Sequence, residues 1–297
     1  MVLLSVIVPI RNAADTLVAC LDGLRAQQFP RDQFEIILVD NNSTDSSASI
    51  ARRYPDVQLL SEPKPGAYAA RNRGVAAARG HLLAFTDPDC VPAPDWLATL
   101  ARELQVVGTA VVMGGYILPS HNAVLELLIR YENTKDAFVL GTDIPELYYG
   151  HTNNMGVRRE IFDRFGPFVE RHRGADTIFV RRVVADLSCD AVRYAPAALV
   201  EHLEVDRIRT YYRKLFLYGE SRESYRHISW TRPLSLGERM VVFRRACTTH
   251  ALSVGRTVLL FGLLSLGLGA WRAGRARAQW SRWRARSVES AAAGLLG

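Results

Sequence analysis

The hydrophobic pattern of the first 115 residues changes period again and again, and this alternation constrains the fold more than any other feature. Apolar runs at Leu4–Pro9, Phe34–Val39, Val57–Leu60, Leu82–Thr86 and Val111–Gly115 read as strands. Between them, Thr16–Ala26, Ser46–Arg53, Tyr68–Arg79 and Pro94–Gln105 have helical spacing or composition. Runs that are apolar throughout belong to strands covered on both faces, so the pattern predicts an α/β fold with a mostly parallel sheet between helices. Residues 116–205 look mixed, with helices expected at Ala123–Glu132 and after Gly174. From Ile208 onward the pattern is helical and basic.

In such sheets ligands bind beyond the carboxyl ends of the strands. Three polar clusters fall there: Pro9-Ile-Arg-Asn12, Asp40–Asp45 and Asp87-Pro-Asp89. Two carboxylates two residues apart at a strand end can share a hard divalent cation, or can simply form a turn, where Asp and Pro are favoured. Asp40 could accept hydrogen bonds from a base or ribose, or belong to a solvated loop that starts a helix. Asp176, ahead of Phe179, Val180, Val183 and Val184, suits either a helix N-cap or a general base. His202, after Leu199-Val-Glu201, is a structural histidine or a ligand that completes a divalent site. There is no G-x-G-x-x-G, Walker A, G-x-S-x-G or H-E-x-x-H sequence, and no nucleic-acid-binding motif.

A chain of 297 residues accommodates one large domain or a domain with an appendage. With 48% hydrophobic and 23% charged residues, a wholly disordered chain, a collagen and a multi-pass membrane bundle are excluded. Residues 1–203 carry 20 basic and 24 acidic groups, and residues 204–297 carry 17 and 6. The positive excess therefore lies wholly in the last third, which suggests an anionic partner there. That third also holds Thr257–Trp271, 15 residues without a charge, or 21 if counted from Ala251 and including Arg256. Arg244 and Arg245 precede it, while Arg272, Arg275, Arg277, Arg282, Arg284 and Arg286 follow, interleaved with Trp271, Trp280 and Trp283. Such flanks suit a helix lying in the headgroup region; a true span and a buried or homodimer-forming helix are the alternatives. Four scattered cysteines suit a reducing compartment, and the apolar N-terminus, without a basic n-region, reads as a strand and not a signal peptide.

Taken in order, Ser5-Val-Ile-Val-Pro-Ile-Arg-Asn12, Val39-Asp-Asn-Asn-Ser-Thr-Asp45, Pro65–Gly74, Phe85-Thr-Asp-Pro-Asp-Cys90, Thr152–Arg159, Gly174-Ala-Asp-Thr177 and Val200-Glu-His202 resemble glycosyltransferase family 2, of the GT-A fold. The resemblance covers about residues 4–230. It implies an inverting transfer of one sugar from a nucleoside-diphosphate sugar, with UDP the commonest nucleotide and GDP and dTDP open. It implies a divalent cation, Mn²⁺ or Mg²⁺, as cofactor. Pro9, Arg11 and Asp40 then look like walls of the base pocket, and Arg71 and Asn72 lie in the segment approaching the donor. Asp87 and Asp89 look like the D-x-D pair, with Asp89 the direct metal ligand and Asp87 facing the ribose, and His202 matches a position that helps bind the metal or the diphosphate. Asp176 matches the catalytic base of a Glu-Asp motif in which Ala175 replaces the usual Glu. Gln279-Trp-Ser-Arg-Trp283 fits a signature of processive synthases, but it stands about a hundred residues beyond Asp176 and is read as coincidence. The expected organisation is a catalytic domain over 1–205, with donor half 1–115 and acceptor half 116–205. A basic helical region follows over 206–297, with its apolar segment at 251–271. A glycan or lipid-linked acceptor at the cytoplasmic face of an anionic membrane completes the expectation. A nucleotidyltransferase of similar fold and a membrane-tethered sugar-nucleotide binding protein are the competing readings.

Overall fold

The computed structural model describes residues 2–117, 121–171, 173–204, 207–225 and 232–294. Eight strands form one sheet in the order β3-β2-β1-β4-β7-β6-β8-β5. They are β1 (Leu4–Ile10), β2 (Phe34–Asp40), β3 (Val57–Ser61), β4 (Leu82–Thr86), β5 (Cys90–Pro92), β6 (Val111–Tyr116), β7 (Asn154–Arg158) and β8 (Val192–His202). The helices of the first half are α1 (Leu17–Arg25), α2 (Ser47–Ala51), α3 (Ala67–Ala77) and α4 (Trp96–Leu104). Those of the second are α5 (Ala123–Val139), α6 (Arg159–Phe165), α7 (Ala175–Asp186), α8 (Ile208–Tyr225), α9 (Leu236–Thr249) and α10 (Val254–Gly294).

The donor-side strands β3, β2, β1 and β4 are parallel, as their continuous apolar runs require. The sheet then turns mixed. β7 inserts between β4 and β6, antiparallel to both. Alternate side chains feed two cores. Leu4, Val6, Val8 and Ile10 pack with Leu17, Leu21, Leu24, Trp96 and Leu100 on one face. Ile7, Leu83 and Phe85 pack with Tyr68, Phe162, Phe168 and Phe179 on the other. Both faces are therefore dry, which fixes strand register, because a one-residue slip would exchange the two cores.

Asn154 locks the centre of the sheet. Its side chain accepts from Trp96 Nε1 at 2.7 Å and donates to the carbonyls of Gly115 and Ala198, both at 2.8 Å. Gly114 lies so close that a Cβ would stand 2.2 Å from the Ala198 carbonyl oxygen. The β6–β8 register shifts between Gly114 and Gly115, next to this contact.

Beyond the sheet, α8, α9 and α10 pack with α5. Leu127, Tyr131, Val242, Ala246 and Leu260 form one small core, and Leu125, Leu128 and Tyr211 another. α8 runs against α10 at close range: a Cβ on Gly219 would stand 2.0 Å from the Trp271 carbonyl oxygen, and one on Gly274 would stand 2.0 Å from that of Phe216. α10 begins at Val254, because the chain turns at Ala251 with φ 45°, so the apolar segment counted from Ala251 is not a single helix. Gln279–Trp283 lies on α10.

Candidate active site at the carboxyl edge of the sheet

The parallel register sets Pro9 beside Val39 and Ile10 beside Asp40, so the ends of β1 and β2 form one wall. The loops that leave these strands are tied together. Asn12, at φ 51°, accepts from Thr44 N at 2.8 Å, and Ser47 Oγ accepts from Ala13 N at 2.8 Å. Asp40 Oδ1 accepts from Ser43 N at 3.3 Å, and Arg11 is exposed next to that wall. Asn41 fastens the third loop, donating to the carbonyls of Glu62 and Lys64 and accepting from Gly66 N at 2.7 Å. That clasp sets the start of α3 and with it the direction of Arg71.

Arg71 is buried, 4% exposed, and ion-pairs with Asp87 just after β4. Its guanidinium lies 5.1 Å from the Tyr68 ring centroid, and its Nε has no partner among the described residues. Tyr68 and Arg71 both act on the Asp176 carboxylate and favour its ionised form. One turn of α3 thus sets groups beside both Asp87 and Asp176. Asn72 does not join this cluster: its amide donates to the Phe168 carbonyl at 2.9 Å and accepts from Phe168 N at 3.0 Å. It holds the loop ahead of α7, where the sequence reading placed it against the donor.

Asp89 precedes β5, and β5 pairs antiparallel with the end of β8 so that Cys90 opposes His202. His202 Nδ1 comes within 3.4 Å of Asp89 Oδ2 and has no hydrogen-bond partner among the described residues, while Nε2 accepts from Lys214 Nζ of α8 at 2.9 Å. Asp89, Cys90 and His202 offer ligand atoms all within 4.8 Å of one another. Burial, and after it the charge of Asp87, pushes Asp89 up to about 7. Burial, and after it the Lys214 ammonium, pushes His202 down to about 4, so the ring is neutral near pH 7. Burial also holds Cys90 well above the usual thiol range, which keeps it protonated.

Asp176 sits in the first turn of α7, but Gly174 is the N-cap, so capping does not explain the aspartate. Its carboxylate accepts from Thr177 N at 2.8 Å and Thr152 N at 3.4 Å. Burial pushes it above the ordinary range, against those bonds and the pull of Arg71. Ala175 is fully buried in the core, where a glutamate would have no room for its charge. Tyr218, one turn beyond Lys214 on α8, lies in the field of Asp176, with Arg173 5.9 Å from its ring. Sequence reasoning missed Tyr68, Lys214 and Tyr218. Tyr68 stands inside a segment singled out for other residues; Lys214 carried one signal, being the lone lysine of residues 204–297.

The donor set fits a hard divalent cation. A buried imidazole nitrogen without a partner among the described residues faces a desolvated carboxylate, with a second carboxylate two residues away; the carboxylates suit Mn²⁺ or Mg²⁺, and the imidazole adds a nitrogen ligand of the kind that transition metals accept.

Comparison with known proteins agrees with this arrangement. The chain is 31% identical over 171 residues to glycosyltransferase AglE of Haloferax volcanii, covering 55% of each protein. It is 28% identical over 247 residues to the pre-mycofactocin glycosyltransferase of Mycobacterium tuberculosis, covering 77% of this chain and 49% of that one. These matches span about half the length of the curated relatives. The mannosyltransferase PcManGT of Pyrobaculum calidifontis, solved with GDP-Man and Mn²⁺, superposes with a TM-score of 0.61 at 21% identity, over 94% of this chain and 87% of that one. The fold is accordingly GT-A. The profile of the family described as Glycosyl transferase family 2 matches residues 5–166, more than half of the chain, and the protein belongs to that family.

Proposed function

We propose that the protein is a metal-dependent inverting glycosyltransferase that moves one sugar from a nucleoside-diphosphate sugar to a membrane-proximal acceptor hydroxyl. The observation that carries this reading is the Asp89–His202 donor set, joined through Asp87, Arg71 and Tyr68 to Asp176.

Asp89 and His202 would hold the divalent cation, which when bound neutralises charge on the leaving diphosphate. The wall at the ends of β1 and β2, where Pro9 is buried, Asp40 half-buried and Arg11 exposed, receives the nucleoside. Arg71, fixed by Asp87, offers its buried, unpartnered Nε–H to a phosphate oxygen. Asp176 takes the proton of the acceptor hydroxyl during attack, and Tyr68 and Thr177 N orient it. One displacement inverts the anomeric centre. Residues 1–205 act as the catalytic domain, with the donor held by 1–115 and the acceptor by 116–205.

In this reading the region 206–297 would hold the site at a membrane surface. Val254–Trp283 is long and apolar enough to cross a bilayer by length and composition. α8 covers its second half, however, and carries Arg209, Arg213, Lys214, Glu220 and Arg222, which a bilayer interior would not accept. The exposed Val254, Val258, Leu259, Phe261 and Leu266, with Met240 and Val241 of α9 and the flanking arginines, suit a helix lying in the headgroup region of an anionic leaflet at the cytoplasmic face.

A donor panel of UDP-, GDP- and dTDP-sugars with Mn²⁺ or Mg²⁺ tests the proposal. Release of nucleoside diphosphate with a single sugar transferred supports it. Release of pyrophosphate points to a nucleotidyltransferase, and binding without turnover to a tethered binding protein; either result overturns it.

A further inference from the structure

Lys214 has no role in the mechanism above, yet it touches the candidate metal ligand. Its ammonium donates to His202 Nε2 at 2.9 Å, lies 3.3 Å from Glu204 Oε2, and its side chain is 23% exposed. The chain has 34 Arg and 3 Lys, and among the 17 cations of residues 204–297 only this one is a lysine. An ammonium is a compact point charge on a flexible stem whose three donors can be re-aimed, whereas a guanidinium is a rigid fork.

Two uses of His202 exclude each other. A neutral imidazole has one N–H and one lone pair. While Nε2 accepts from Lys214, the lone pair is committed and the ring proton sits on Nδ1, toward Asp89. A cation held through Nε2 takes the lone pair that Lys214 uses. A cation held through Nδ1 moves the ring proton to Nε2, which then points N–H against the ammonium. Metal ligation by His202 therefore releases Lys214 through either nitrogen. The charge freed in this way stands beside Asp89 and Glu204, where an incoming diphosphate needs compensation. Arg71, a buried cation nearby, remains paired with Asp87.

We propose that Lys214 is an exchangeable counter-charge of the donor site: it engages His202, and on binding of a divalent cation with a nucleoside diphosphate it re-pairs with the diphosphate oxygens. This inference rests on the glycosyltransferase reading. The test is calorimetric titration of the full chain with MnCl₂ alone, then with UDP, GDP and dTDP under saturating Mn²⁺. Wild type is compared with Lys214→Met, which keeps the packing of the stem, and Lys214→Gln. Mn²⁺ alone binds both variants about three- to tenfold tighter, because a charged competitor is gone, while the diphosphate binds about tenfold weaker or worse. Opposite signs separate this role from a structural one, since misfolding weakens both. Unchanged affinities, or joint weakening in both variants, overturn the proposal while leaving the glycosyltransferase reading intact. Failure of wild type to bind any of the three diphosphates with Mn²⁺ overturns both.

Discussion

His202 Nδ1 faces Asp89 Oδ2 at 3.4 Å, and the two do not form an ordinary ion pair. Burial holds the imidazole neutral, with its pKa near 4, and raises the carboxyl to about 7. A neutral ring against a reluctant carboxylate contributes little Coulomb attraction. What the pair offers is an imidazole and a carboxylate oxygen converging where β5 meets the end of β8, which becomes a ligand set once the ring gives up its present hydrogen bonds.

Asp89→Asn keeps the shape of the loop and removes the anionic oxygen. We expect metal-dependent nucleotide binding to fall by at least about 100-fold, because the loss of a group that merely supports a metal ligand already costs about 10- to 100-fold. Thermal shift with UDP and GDP, with and without Mn²⁺, reads this out. An unchanged Mn²⁺-dependent shift would remove Asp89 from the site.

Asp176→Asn should lower turnover by about 10²- to 10⁴-fold while nucleotide affinity stays within a few-fold of wild type. Because burial raises the Asp176 carboxyl, the acid limb of the rate profile should lie above the ordinary Asp value of about 3.9, with activity rising as pH rises through it. A profile flat down to pH 4 would contradict its role as base.

Glu35 supplies a stability test far from the site. Its carboxylate accepts from Ser5 Oγ at 2.7 Å, Arg79 N at 2.7 Å and Arg79 Nε at 2.9 Å. Burial alone would raise its pKa, but these bonds outweigh burial and hold it below the usual range. A depressed carboxylate stabilises the fold above its unfolded pKa, about 4.3, and that contribution is lost as pH falls below it. Glu35→Gln should cost about 1–3 kcal/mol at pH 7 and flatten the acid dependence of urea midpoints below pH 5. Parallel curves for wild type and variant would refute this.

The paired apolar substitutions Phe261→Asp and Leu266→Glu lie on the exposed face of α10 and should abolish flotation with anionic vesicles while leaving nucleotide binding unchanged. Retained flotation would mean that α10 does not lie in the lipid.

Much of the donor half was legible in the sequence for a physical reason. β1, β2 and β4 are buried on both faces, so they appear as unbroken apolar runs, and their limits fall within a residue of those expected. β8 was missed because it alternates buried and exposed positions and includes Arg193, Pro196 and Glu201. The insertion of β7 between β4 and β6 depends on antiparallel pairing over more than 40 residues, which local pattern cannot show. α5 was expected to end at Glu132 yet runs to Val139, because Asn133, Lys135 and Asp136 look like surface residues. In the fold they bond Tyr116, Glu132 and Tyr149. Within the site, D-x-D, His202 and Asp176 were readable as types at spacings. Lys214 and Tyr68 were not, since their meaning arises only where α8 meets β8 and where α3 meets α7.

The central claim is tested most directly by following nucleoside diphosphate release from a nucleotide-sugar donor during Mn²⁺ titration of wild type, Asp89→Asn and Asp176→Asn. The account predicts saturable Mn²⁺-dependent release for wild type, none for Asp89→Asn, and bound donor with almost no release for Asp176→Asn. Full release by wild type in excess EDTA, or by Asp176→Asn in Mn²⁺, would contradict it.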